Sequence, residues 1–229
     1  MSTKTTTPSD TSPEQTPAIR TSRRDMQGWM LIFIVFIAGA ASLSVEFAAS
    51  RLLAPYFGTS LFVWANLIGL ILLYLTIGYF LGGQLADRYP RPAVLYGLTV
   101  VASLLIALIP LVAYPILTWA QLLFATNPLG VFYGSLVSVL ILFALPMILL
   151  GAVSPFAIRL SVKQVVSSGR TSGQLYAIST LGSIFGTFFP VFVLIPDVGT
   201  NMTFITTALA LFVVSIVALV LTWVKRDTA

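Results

Sequence analysis

Few residues in this 229-residue chain are equipped for chemistry, and they stand out because so little around them is polar. Glu46 is the only acidic residue deep within an apolar run. A carboxylate in hydrocarbon is costly, so it is by default a candidate for binding a solute or an ion. Counted from Gly28 at about 1.5 Å per residue, it lies roughly 27 Å along a helix, in the outer half and within reach of interfacial water. The structural alternative is a Glu held by a neighbouring helix or by Arg51. Arg51 follows about 140° further round an ideal helix, so the two do not stack as an i, i+4 pair would. A direct pair needs a bend. Otherwise both contact a third group, or Arg51 snorkels to the outer headgroups.

A second set of candidates is polar but uncharged. Trp64 falls near the outer boundary of its apolar run. Gln174, Tyr176 and Ser179, with Thr180 and Ser183, form a polar stripe in another run and are candidates for lining a cavity. The segment Gly82 to Arg91 (GGQLADRYPR) reads as a tight turn after a helix. There Asp87 either caps the next helix or pairs with Arg88 or Arg91, and a gating role for Gly83, Asp87, Arg88 and Arg91 competes with an ordinary basic loop. Gly78 and Gly82 form one GxxxG face, continued by Ala86, and Gly182 and Gly186 form another. Small residues at this spacing let helices approach closely, which points to packing rather than to a substrate path. Pro146, Pro155 and Pro190 each remove a backbone hydrogen bond and can kink a helix.

The elements that carry these residues follow from composition. Hydrophobic residues make up 58% of the chain and charged residues 8%, against about a quarter charged in a soluble domain. That is too little charge to cover a surface in water, and the apolar length is enough for several bilayer crossings of roughly 20 residues each. Backbone groups in hydrocarbon must bond internally, so the runs are helices. Cysteine and histidine are both missing, which excludes disulfides, thiolate chemistry and imidazole-based metal sites or dyads. No metal and no cofactor is expected. The net charge of +5 is explained by cationic anchors on one side of a membrane, so nucleic acid is not an expected partner.

Six spans are predicted: residues 29–53, 61–85, 93–114, 131–158, 173–194 and 204–224. The stretch 114–129 is either a short helix lying in the outer interface or an extension of the third span. Residues 1–26, rich in Thr, Ser and Pro, read as a disordered cytoplasmic tail. They lack the apolar core of a signal peptide. Residues 27–225 form the transmembrane domain, and 226–229 a second cytoplasmic tail. Arg20, Arg23, Arg24, Arg88, Arg91, Arg159, Lys163, Arg170, Lys225 and Arg226 all fall on one side under a count of six. The opposite loops hold no Lys or Arg apart from Arg51. By the positive-inside rule both termini are expected to be cytoplasmic.

The combination of EFAASRLLAPYFG (from Glu46), Trp64, Gly78, GGQLADR (from Gly82), GAVSP (from Gly151), GQLYAISTLGSIFGT (from Gly173) and Ile195-Pro196 resembles the membrane domain of bacterial spermidine-synthase-like membrane proteins, over roughly Gly28 to Val224. In that family, membrane helices often precede a soluble aminopropyltransferase-like Rossmann domain. The catalytic residues of such a domain have no positions in this sequence, and the loop between the fourth and fifth spans is too short for a nucleotide-binding fold. Gly83, Asp87, Arg88 and Arg91 also resemble the Gly-x-x-x-Asp-Arg-x-Gly-Arg signature of the major facilitator superfamily, with Pro90 where glycine is usual. The resemblance implies an all-α, half-major-facilitator-like bundle of six transmembrane helices, completed by dimerisation or by a larger complex.

Two functions compete. One is a transporter or permease-like protein in which a small cationic or amphipathic solute meets Glu46. The other is a non-catalytic subunit that anchors or organises a partner, such as a separately encoded synthase-like protein. An intramembrane enzyme is not expected, for want of His, Cys or a close pair of carboxylates within the spans.

Overall fold

The computed structural model describes residues 20–162 and 168–227, with side chains for 28–162 and 168–224. The expected disorder of residues 1–19 and the cationic loop residue Lys163 lie outside the described residues. The fold is all-helical: α1 (Arg20–Phe57), α2 (Leu61–Arg88), α3 (Pro92–Leu123), α4 (Gly130–Ser161), α5 (Ser168–Phe189), a π-helical segment (Pro190–Leu194), α6 (Ile195–Val198) and α7 (Thr200–Asp227). Among the described residues six helical spans are long and apolar enough to cross a membrane, with α5, the π segment and α6 together making the fifth. The chain is therefore a multi-pass membrane protein, its lipid-facing surface carried by exposed residues such as Leu72, Leu111, Leu145 and Leu209.

The helices outrun the apolar stretches that announce them, because the hydrogen-bond ladder does not stop where hydropathy does. α1 begins at Arg20, inside the segment expected to be a disordered tail; Arg, Met and Gln are good helix formers and carry the ladder back from the first apolar run. α3 continues through Pro115 and Trp119 to Leu123, so most of the 114–129 stretch extends the third span rather than lying beside it. α4 runs unbroken through Pro146 and Pro155. At Pro190 the outcome differs. The missing N–H interrupts the regular ladder, and the chain takes up a π-helical turn before α6 resumes. Gly199, at φ 85°, then reverses the chain in a single residue, a conformation an L side chain resists. Its carbonyl accepts from both the backbone N–H (3.0 Å) and the hydroxyl (2.9 Å) of Thr203, which opens α7.

Two pairs of helices run parallel and in close contact. α2 lies along α4, with Asn66 beside Ser135, Gly82 beside Ala152 and Asp87 beside Arg159. α1 lies along α5, with Phe36 beside Gly182 and Ala40 beside Gly186. α7 packs on α3 and α1, and α3 also packs on α4. Exchanging the first three spans for the last three maps this pattern onto itself: α2 on α4 becomes the fifth span on α1, and α3 on α4 becomes α7 on α1. Each parallel pair carries one of the GxxxG faces seen in the sequence. At the centre, the rings of Phe143 and Phe204 stack 6.2 Å apart between α4 and α7.

The close approach is made by glycine. A Cβ on Gly182 would meet the carbonyl oxygen of Phe36, and one on Gly186 that of Ala40. A Cβ on Gly151 would lie 2.8 Å from the Leu75 oxygen and 3.2 Å from Cα of Gly78. Buried hydroxyls are satisfied locally or across these seams. Ser42, Ser138 and Ser215 donate to carbonyls four residues back, and Ser44 and Thr207 share a hydrogen bond of 2.8 Å between α1 and α7. Asn66 donates to the Phe132 carbonyl (2.8 Å) and the Ser135 hydroxyl (2.9 Å), tying α2 to the start of α4.

Candidate functional site

One end of the bundle carries Arg88, Arg91 and Arg159; the other carries the turns at Gly58, 124–129 and Gly199. The two ends are built differently, and the sequence-predicted residues divide between them.

Arg51 and Trp64 come together at the end opposite the basic loops. Both line a cavity of about 460 Å³ formed by the end of α1, the start of α2 and the broken part of the fifth span. Each wall follows from local sequence. Pro55 at the end of α1 precedes Gly58, whose φ of 75° turns the chain into α2 and sets Thr59 at the rim. The π-helical turn at Pro190 widens the fifth span where Val191 faces the opening. Most of the wall is apolar, with Phe47, Val63, Leu67 and Ile195 among its members. The polar part is Arg51, Ser50, Thr59 and the Trp64 ring. Ser50 already donates to the Phe47 carbonyl at 2.8 Å. Arg51 is exposed and has no carboxylate or hydrogen-bond partner among the described residues.

Glu46 does not join this cavity. It is half-buried, is not on the wall, and makes no hydrogen bond or ion pair among the described residues. The pair with Arg51 does not form, because α1 stays regular through this stretch and holds the two side chains on different faces.

Gln174, Tyr176 and Ser179 lie in the half of α5 nearer the basic end, away from the cavity. Gln174 and Tyr176 are exposed. Ser179 is half-buried, with its backbone oxygen against Gly39, so it belongs to the α1–α5 seam. Thr180 and Ser183 also bond within or across that seam, to the carbonyls of Tyr176 and Gly39.

At the basic end, Asp87 neither caps α3 nor pairs with Arg88 or Arg91. Its Oδ1 accepts from Nε of Arg159 at 2.7 Å, joining the ends of α2 and α4. The reason is register: Gly78, Gly82 and Ala86 face α4, and Asp87 leaves that face just as Arg159 leaves its own. Arg91 occupies the N-cap position of α3 with no side-chain cap. Arg88 sits over the Tyr89 ring at 5.6 Å. Gly83 has open space where a Cβ would stand. Gly78, Gly82, Gly182 and Gly186 all lie at helix contacts.

Several residues with a part in this arrangement went unremarked in the sequence. Phe47 and Ser50 lie inside the EFAASRLLAPYFG segment without being singled out, and Thr59 directly follows it. Asn66, an amide in an apolar run, was visible as an anomaly. Gly39 has no GxxxG partner and gave no signal. Among the described residues no cluster of His, Cys, Asp or Glu is arranged to hold a metal ion.

The site is thus a cavity at the end opposite the basic loops, with mostly apolar walls and one cation that has no partner among the described residues, beside a fifth span that loses its regular ladder. No family model, no curated protein and no solved structure matches the chain.

Proposed function

We propose that the chain is a transporter-like or permease-like unit for a small organic solute, and that the cavity beside Arg51 and Trp64 is its solute site. The observation that carries this reading is the cavity itself, of about 460 Å³. It lies within the range of roughly 300–1,000 Å³ typical of small-molecule sites. Its wall includes a π-helical turn in an otherwise continuous fifth span, a local widening of the ladder that recurs at functional sites.

The exchange-symmetric packing of the first and last three spans supports a half-transporter bundle. α2 and α5 make no extensive contact with each other, so a second copy or another subunit would complete the wall they flank. In this reading the loop cations hold both termini on the cytoplasmic side of a bacterial inner membrane. The resemblance to spermidine-synthase-like membrane domains concerns the helices.

The second reading, a scaffold subunit for a separately encoded partner, is favoured by the fifth span. It is the least buried of the six and exposes Tyr176, Phe185, Phe188 and Phe192 along its length.

The test is flux into proteoliposomes for a panel of neutral, cationic and anionic organic solutes. Protein-dependent flux, abolished when a cysteine at Thr59 (Thr59→Cys) is modified, is the expected result. Flux equal to empty liposomes for the whole panel, together with a stoichiometric co-purifying partner, contradicts it.

A further inference from the structure

The cavity also carries information about charge. Arg51 is the only ionisable residue on its wall. The two carboxylates nearest in sequence to the lining, Glu46 beside Phe47 and Asp197 beside Pro196, both lie off the wall. Neither pairs with Arg51, since the Asp87–Arg159 pair is the one ion pair among the described residues. A guanidinium with no protein counter-ion at the mouth of an apolar chamber is a poor neighbour for a cation. Its planar fork of donors matches a carboxylate or phosphate. The hydroxyl of Thr59 stands on the same wall and can donate to the same oxygens, whereas that of Ser50 is committed to the Phe47 carbonyl. The remainder of the lining, including Phe47, Val63, Leu67 and Val191, offers only carbon.

We infer that the cavity beside Arg51 takes an amphipathic anion: a single phosphate or carboxylate held by Arg51 and Thr59, carried on an apolar body that lies against Phe47, Val63 and Leu67. This rests on the reading of the cavity as a solute site and reverses the charge expected had Glu46 been the binding group. The same chemistry is presented by a free organic phosphate and by the headgroup of an anionic phospholipid entering from the bilayer.

Trp64 lines the cavity and provides the probe. The other tryptophans, Trp29, Trp119 and Trp223, are exposed and can be replaced by Phe, leaving Trp64 as the reporter in full-length protein held in phosphatidylcholine nanodiscs. Quenching is then titrated with 6-bromohexyl phosphate, with the matched cation 6-bromohexyl trimethylammonium, and with brominated phosphatidylglycerol built into the disc. Saturable quenching by the phosphate at concentrations at least about tenfold below the cation is expected, weakened about tenfold or more by Arg51→Gln and by less in Arg51→Lys, which keeps the charge but not the fork. Quenching by the phospholipid alone also supports the inference and assigns the anion to the bilayer; quenching by the free phosphate assigns it to solution. Equal quenching by anion and cation, no saturable quenching by any probe in folded protein, or an Arg51→Gln variant that binds like the parent overturns it. Saturable anion binding without flux of hexyl phosphate into proteoliposomes overturns the permease reading and leaves the anion site standing.

Discussion

Asp87 at the end of α2 and Arg159 at the end of α4 meet at 2.7 Å, and they do so on top of a glycine seam in which α2 and α4 touch backbone to backbone. The pair lies at the basic end of the bundle, in the axial register that the glycine seam and Asn66 set between α2 and α4.

Both side chains of this pair are largely in solvent, with 50% of Arg159 and 71% of Asp87 exposed, so screening leaves it little energy. A double-mutant cycle with Asp87→Asn and Arg159→Gln should give a coupling below about 1 kcal/mol in denaturant or thermal unfolding. If the turn gates the bundle, each single variant should nevertheless impair flux, and the reversed pair Asp87→Arg with Arg159→Asp should recover part of it. Unaltered flux in both single variants would remove the turn from the mechanism.

The glycine seams make a sharper stability prediction, because two classes of glycine differ in sign. Gly78→Ala, Gly182→Ala and Gly186→Ala each drive a methyl into the backbone of the facing helix. Each should cost about 1–3 kcal/mol, as overpacking does. Gly83→Ala and Gly97→Ala meet nothing and should be neutral or stabilising by up to about 1 kcal/mol, since alanine is the better helix former. Unfolding in mixed detergent micelles reads the difference. Similar effects in both classes would mean that the parallel pairs are not packed as described.

Asn66 is a third test of the same packing. Its amide makes two hydrogen bonds to α4, one to a carbonyl and one to a hydroxyl. Asn66→Leu should destabilise the protein by about 1 kcal/mol, the scale measured for polar contacts between membrane helices. Asn66→Ala combined with Ser135→Ala should cost less than the sum of the two single changes, because the pair shares one bond. Strict additivity would show that the two side chains do not interact.

Orientation is testable because the chain has no cysteine. Single cysteines at Ser60 or Asn127, in the turns opposite the basic loops, should react with an impermeant thiol reagent added to intact cells. A cysteine at Tyr89 should react only after the membrane is opened. The reverse pattern would overturn the inside assignment of the basic loops.

The helices and much of their packing were legible in the sequence, and so were Arg51 and Trp64 as candidates; that the two share a cavity was not, and the difference is physical. Hydropathy is a local property, so residues 61–85 and 131–158 could be marked out as spans from their own residues, within the helices Leu61–Arg88 and Gly130–Ser161. The faces Gly78/Gly82 and Gly182/Gly186 were legible for the same reason, since their spacing repeats within one helix. What escaped depends on the register between helices. Asp87 selects Arg159 over the nearer Arg88 and Arg91 because of how α2 slides along α4, which no single segment encodes. The cavity is more elusive still. It exists where α1, α2 and the fifth span fail to fill space, and the π-helical turn after Pro190 was foreshadowed only by the proline. Glu46 illustrates the limit of reading cost as function: its burial marked it as a candidate, yet the wall of the cavity passes through its neighbours Phe47, Ser50 and Arg51.

The central claim is that the cavity belongs to a transport cycle, which requires it to open to each side of the membrane in turn. Ser50 tests this most directly, because it lies on the cavity wall, half-buried, about two helical turns in from the end of α1. A single-cysteine Ser50→Cys variant should be exposed to an impermeant thiol reagent in right-side-out and in inside-out vesicles, with Thr59→Cys at the rim as the one-sided control. The account predicts that Ser50→Cys is modified from both sides and Thr59→Cys from one. Modification of Ser50→Cys from the rim side alone, under all solute conditions, would contradict it and leave the cavity a static pocket in a scaffold.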